Sequence, residues 1–119
     1  MQPEERKAYI NLLRILKKIT KKGELQELIN NLDHSAIDKI CRCLFNVVYH
    51  ENCRPKNSKK RKSLRKLMLK NRDSVEFLTN YSPSTKKIEE KRKILQSGGF
   101  PLLPILSAVI PTLISLFTK

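Results

Sequence analysis

Three cysteines and two histidines are the residues of this chain best suited to hold a metal or attack a substrate. Cys41, Cys43 and Cys53 are interleaved with His34 and His50 over a short stretch. A structural zinc site draws its ligands from close pairs repeated along the chain, and that pairing is missing here. If residues 35–50 are helical, Cys41 and Cys43 point to nearly opposite sides. The five residues therefore read as buried thiols and surface histidines, with no metal expected. An odd number of cysteines, without a secretory leader, suits free thiols in a reducing compartment. There is no phosphate-cradling glycine loop, no paired-carboxylate arrangement, and no nucleophile beside a base. Neither an enzyme nor a cofactor is expected.

The second group with chemical potential is cationic. Arg54, Lys56, Lys59, Lys60, Arg61, Lys62, Arg65, Lys66, Lys70 and Arg72 fall within 19 residues that hold no acid. The rest of the chain is close to balanced. Residues 1–53 carry 9 Lys/Arg against 7 Asp/Glu (+2), residues 73–99 carry 5 against 4 (+1), and Lys119 adds +1; with +10 from the basic segment, the net charge is +14. A basic patch on a near-neutral body points to a polyanion: nucleic acid, an anionic membrane surface, or an acidic protein. On a helix these cations would spread around the surface, which suits contact with phosphates and not with base edges. No aromatic residue is interleaved with them, so stacking on single strands finds no support in this segment. The expectation is sequence-independent, salt-sensitive nucleic-acid binding. The Lys59-Lys60-Arg61-Lys62 run is also compatible with nuclear import.

These residues must be positioned by helices. Pro3 with Glu4 and Glu5 is a good helix start. Tyr9, Ile10, Leu12, Leu13, Leu16 and Ile19 then recur at helical spacing, and Gly23 is placed to end the helix. A second short helix reads from Glu24, with Leu25, Leu28, Ile29 and Leu32 on one stripe. Ser35 with Asp38 reads as a capping box for a central core helix carrying Ile37, Ile40, Cys41, Leu44, Phe45, Val47 and Val48. Asn57-Ser58 is placed to cap a basic helix through Leu64, Leu67 and Met68. Asp73 and Glu76 open another short helix. Tyr81-Ser82-Pro83 reads as a turn, and Ser84 or Thr85 as the cap of a charged helix that Gly98-Gly99 would end. No stretch alternates with a two-residue period between hairpin turns, so strands are not expected. The fold class is all-α: a helical body (1–53), a basic segment (54–72), short charged helices (73–99) and an apolar C-terminal segment (100–119).

That last segment contrasts with everything before it. Residues 100–117 contain no charge. Phe100, Leu102, Leu103, Ile105, Leu106, Val109, Ile110, Leu113, Ile114, Leu116 and Phe117 are broken up by Pro101, Pro104 and Pro111. A bilayer-crossing helix needs roughly 20 apolar residues, so the run is near that limit. Pro111 would kink a helix at mid-length, though membrane helices tolerate proline better. Only Lys119 anchors the far end. The segment must enter a bilayer, pack on its own body, or be shared within an assembly. Insertion, as a tail anchor or lytic segment, is the leading expectation, and completing a small core is the second. The charged start MQPEERKAY lacks the apolar stretch of a signal peptide, which leads to the expectation of an intracellular protein or one packaged in a particle.

Three features together resemble a group of small basic proteins encoded by Maverick/Polinton-type elements and adintoviruses. They are the helix DKICRCLFNVV, the basic segment, and the ending KRKILQSGGFPLLPILSAVIPTLISLF; the similarity covers residues 10–117 and is most specific from Lys93 to Phe100. The resemblance implies a minor virion or core-like protein, in the style of adenovirus core and membrane-active proteins, which condense DNA or disrupt membranes and are in some cases cut by a viral protease. The adenovirus-type cleavage pattern wants Met, Ile or Leu three places before the second glycine. Here Gln96 stands there, and Leu95 lies one position off. Cleavage near Gly98-Gly99 would free the apolar tail.

The leading expectation is thus a viral or transposon-encoded structural protein that binds nucleic acid through residues 54–72 and membrane through residues 100–117. It could assemble with itself or within a virion. The alternatives are a membrane-anchored adaptor on anionic lipid, and a protein–protein interaction domain whose tail completes its own core.

Overall fold

A computed structural model of the chain describes residues 2–81 and 84–118, so the expected turn at Ser82-Pro83 and the anchor Lys119 lie outside the described residues. Among the described residues the fold is all-α, with no strand. Seven helices follow in order: α1 (Pro3–Lys17), α2 (Lys22–Asn31), α3 (His34–Tyr49), α4 (Ser58–Lys70), α5 (Arg72–Thr79), α6 (Thr85–Gln96) and α7 (Leu102–Phe117). A single 3-10 turn, Glu51–Cys53, links α3 to α4.

Capping chemistry sets most of the starts. Pro3 opens α1, with Glu4 and Glu5 at the positive end of its dipole. The Asn57 side chain accepts from the Lys60 N–H at 3.1 Å and starts α4. Ser84 accepts from the Lys87 N–H at 3.4 Å and starts α6. Two expected boundaries are displaced. α3 is capped by Asp33, which accepts from the Ala36 N–H at 2.8 Å. Ser35 therefore lies inside the first turn, where its hydroxyl accepts from Lys39 Nζ instead of capping. α1 ends at Lys17, tightened by Lys18 N–H to Ile15 and Ile19 N–H to Leu16 carbonyl bonds. Gly23 then falls in the first turn of α2 and terminates nothing.

The apolar segment is the largest difference from expectation. It forms one helix, uninterrupted at Pro111, and this helix lies in the core. Phe100, Leu102, Ile105, Leu106, Val109, Ile110 and Leu113 are buried, while Leu103, Ile114, Leu116 and Phe117 are partly buried against the same cluster. α7 packs on α1, on α4 and on the 3-10 turn. The Phe117 ring meets Tyr9 of α1 edge-on, with centroids 5.2 Å apart, and the Asn46 amide donates to the Tyr9 hydroxyl at 3.3 Å. The reason the helix tolerates its prolines is their spacing. Pro104, Ser107, Pro111 and Ser115 are all exposed, and steps of three and four residues put them on one face. The carbonyl of Ser107, which loses its helical donor at Pro111, therefore faces water.

The remaining helices close around this pair. α2 packs on α6, and α3 packs on α5, α6 and α1. Lys91 is 2% exposed and donates from Nζ to the Asn80 carbonyl at 2.6 Å, tying α6 to the end of α5. Arg92 donates to the Ile29 carbonyl at 2.6 Å, at the end of α2, and to both oxygens of Glu89. The radius of gyration, 13.3 Å, equals the ~13 Å of a single folded domain of this length. No part of the described chain extends away from the body.

Candidate nucleic-acid interface

The basic segment is ordered by three apolar residues. Leu64 is buried, and Leu67 and Met68 are partly buried, so the i, i+3, i+4 face of α4 is turned to α5 and α7. Once that face is fixed, the cations divide by type. Lys59, Lys62, Lys66 and Lys70 are exposed and recur at steps of three, four and four. They form a single lysine row on the outer face, about 16 Å long at 1.5 Å per residue. Lys56 and Lys60 are exposed beside it. Among the described residues, none of the ten cations of the segment lies within salt-bridge distance of a carboxylate. Neighbouring like charges on a helix oppose it by about 0.2–0.5 kcal/mol per pair, so the row is a net cost to folding. The exposed cations still spread over the solvent side of α4, as expected, and burial of one face adds an order to them: four lysines share one row.

The arginines lie elsewhere. Arg54, Arg61, Arg65 and Arg72 line a cleft of about 320 Å³ formed by the end of α3, α4 and α5. Its apolar wall includes Val47, Leu64 and Val75, which are buried, and Met68. Glu76 is the one acid among the lining residues. Two of the arginines also hold the fold. Arg54 donates from Nε to the Val47 carbonyl at 2.9 Å and from Nη2 to the Val48 carbonyl at 2.8 Å. These are carbonyls that the end of a helix leaves without a backbone donor, and a cation there is favoured by the helix dipole. Arg61 Nε donates to the Pro55 carbonyl at 3.1 Å. Arg54, expected as a phosphate ligand, is thus partly buried and fixed as a C-terminal cap.

Sequence reasoning missed two residues here. Tyr49 also lines the cleft, is 62% exposed, and stands beside the 40% exposed Phe45. Their ring centroids are 4.7 Å apart, inclined at 39°. Phe45 was expected in the core stripe of α3. The structure places it outside, one turn before Tyr49, because Ile37, Ile40, Cys41, Cys43, Leu44 and Val47 already fill the inward face.

The cysteines are removed from this surface. Cys41, Cys43 and Cys53 are buried free thiols. Burial pushes Cys41 up to about 12, partly offset by Lys91. Burial likewise pushes Cys43 up to about 12, beside the Tyr9 hydroxyl. Burial also raises Cys53 and, more strongly, Tyr9. A thiol held protonated is a poor nucleophile and a poor metal ligand. His34 Nε2 lies 2.9 Å from the Glu89 carboxylate, 55 residues further along the chain. Among the described residues no group of three or more His, Cys, Asp or Glu is placed to share a metal ion.

Gly98 and Gly99 occupy an exposed turn between α6 and α7. Lys22 Nζ donates to the Gly98 carbonyl at 2.8 Å and the Gln26 amide to the Gln96 carbonyl at 2.8 Å, so the turn is tied to α2 on one side while α7 is packed on the other. Among the described residues no helix is long and apolar enough to cross a membrane. Set against known proteins, the chain finds no matching family model, curated protein or solved structure.

Proposed function

We propose that this chain is a sequence-independent nucleic-acid-binding protein, acting through the lysine row of α4 and the exposed cations around it. The observation that carries this reading is the set of unneutralised lysines: Lys59, Lys62, Lys66 and Lys70 share one exposed face without a carboxylate partner. A row that opposes its own helix is explained by a polyanion that neutralises it. Flexible lysines contact phosphates as point charges and read no base. A row ~16 Å long covers about five base pairs at 3.4 Å per pair. This mode of binding fits the minor virion or core-like role that the sequence resemblance implies, in which nucleic acid is condensed and not read.

The burial of α7 favours the arrangement in which the apolar segment completes the core. To enter a bilayer α7 must first leave α1 and α4 and expose most of the residues named above as membrane-facing. The membrane-anchored reading therefore requires a second conformation, whereas the nucleic-acid reading uses the surface as it stands.

The test is fluorescence anisotropy with labelled duplexes of unrelated sequence as salt is raised. Four lysine–phosphate contacts give a slope of log K on log salt of about −3.6, or roughly a hundred-fold loss of affinity from 50 to 200 mM salt. Replacing Lys59, Lys62, Lys66 and Lys70 by Gln should remove most of that slope on every duplex. A flat salt dependence would reject the proposal; flotation of the full chain on neutral liposomes without added DNA would show instead that α7 leaves the core for a bilayer.

A further inference from the structure

We propose that the arginine-lined cleft between the end of α3, α4 and α5 is a base-stacking site for single-stranded nucleic acid, with Tyr49 as its platform. This inference rests on the nucleic-acid reading above and adds to it the form of nucleic acid preferred. The cleft, at about 320 Å³, is at the small end of ligand-sized pockets, which span about 300–1,000 Å³. It is matched to one planar group, not to a docked helix. Its chemistry divides into an apolar wall and a cationic rim of four arginines against a single acid, Glu76. A nucleotide divides the same way, into a flat base and an anionic phosphate.

Two features suit an unpaired base in particular. Tyr49 stands 62% exposed although aromatic surface is costly to leave in water. Phe45 packs against it at 4.7 Å, which restricts the ring, and Tyr49 is one of the residues that line the cleft. Arg54, held by two carbonyls at 2.9 and 2.8 Å, presents a guanidinium plane of fixed orientation. Flipped-out bases stack on aromatic rings and on arginine planes. Arg61, Arg65 and Arg72 are exposed at the rim, where they reach phosphates, and the lysine row on the same helix continues the backbone path. The bases of an intact duplex are already stacked and cannot enter, so the duplex engages the lysine row and the exposed cations around it without the Tyr49 platform.

The experiment uses the full chain with two labelled probes of equal length, a poly(dT) strand and a mixed-sequence duplex, at one fixed salt concentration. The variants are Tyr49→Ala, Tyr49→Phe and the four-lysine Gln variant. Tyr49 is largely outside the core, so its replacement spares the fold; circular dichroism checks this. Stacking of one base corresponds to roughly 5- to 150-fold in affinity. Tyr49→Ala should weaken the single strand by at least about five-fold and leave the duplex within about two-fold. Tyr49→Phe should retain single-strand affinity, because a ring face and not a hydroxyl is used. The lysine variant should weaken both probes. If Tyr49→Ala weakens both equally, or neither, the stacking site is wrong while the lysine reading survives. If an acidic amphipathic peptide binds with an affinity that Tyr49→Ala lowers while poly(dT) binding is unchanged, the cleft belongs to a protein partner and the inference is overturned. If neither probe binds, the nucleic-acid reading itself has failed.

Discussion

Leu106 and Pro111 lie on opposite faces of α7, and replacing each by alanine tests where that helix belongs. Leu106 is 1% exposed, within the cluster that α7 shares with α1 and α4. Leu106→Ala removes three buried carbon groups and leaves a cavity, a change that costs about 2–5 kcal/mol. For 119 residues the unfolding entropy is roughly 0.25 kcal/mol/K. A loss of ~3 kcal/mol therefore lowers Tm by about 12 °C. Pro111 is exposed and denies the Ser107 carbonyl a donor. Pro111→Ala restores that bond and relieves part of the ~3 kcal/mol that an interior proline costs. Part of the gain is offset because proline also restricts the unfolded chain. The net expectation is a rise of about 4–8 °C, from 1–2 kcal/mol. Thermal unfolding followed by circular dichroism in detergent-free buffer reads both. Opposite signs from two residues five positions apart are the signature of one helix with a buried and a wetted face. If Leu106→Ala leaves Tm within about 2 °C of wild type, far below the cavity cost, α7 does not hold the fold together and the packing argument fails.

Three further outcomes follow from the same packing. Because burial holds the thiols protonated, Cys41 and Cys43 at about 12, a thiol reagent at pH 8 should modify the native chain slowly and all three cysteines rapidly in denaturant. Fast labelling of the native chain would show that the α3 core opens. Arg54→Gln breaks two charge-assisted bonds to the end of α3, each worth about 1.5–3 kcal/mol before relaxation. It should lower Tm clearly while weakening duplex binding little, whereas Lys66→Gln should do the reverse; the two are separated by measuring Tm and affinity on both. Arg92, and secondarily His34, hold the Glu89 carboxyl below its ordinary 4.5. Its contribution to stability is present above pH 4.5 and is lost as pH falls through the lower folded value, so Glu89→Gln should flatten the acid limb of a Tm-against-pH curve; an unchanged limb would show the network to be idle.

Much of the helix pattern is legible in the sequence because caps are local. Pro3, Asn57 and Ser84 each mark a helix start by chemistry that needs only the next three residues. The same locality misleads at Ser35, where a serine with an acid three places on matches the capping pattern but Asp33 precedes it and takes the N–H first. α7 shows a different limit. Hydropathy averages over the segment and finds only an apolar run, while its position-by-position pattern, Pro104, Ser107, Pro111, Ser115, marks a wetted face. Uncharged small residues and prolines carry little weight on a hydropathy scale, so the amphipathic reading was available but faint. The sorting of lysines from arginines was also within reach, since Leu64, Leu67 and Met68 determine which side of α4 turns inward. The pairing of Tyr49 with those arginines was not. It arises where the chain reverses through the 3-10 turn and lays α4 beside the end of α3, a tertiary event with no local trace.

The pairing of α1 with α7 gives this small protein an unusual order of events during synthesis. α1 is made before α2–α6, and the helix that covers much of it, α7, is made after them. Until α7 appears, the apolar face of α1, with Tyr9, Leu12, Leu13 and Leu16, is covered by α3 at most in part, and the nascent chain carries open apolar surface together with its basic face. Local helices form within about a microsecond, long before translation at roughly 5–20 residues per second supplies the partner. The fold therefore closes after translation has passed the turn at Gly98-Gly99. Chains that stop short of that turn lack the α7 side of this packing and leave that face of α1 open to chaperones and proteases.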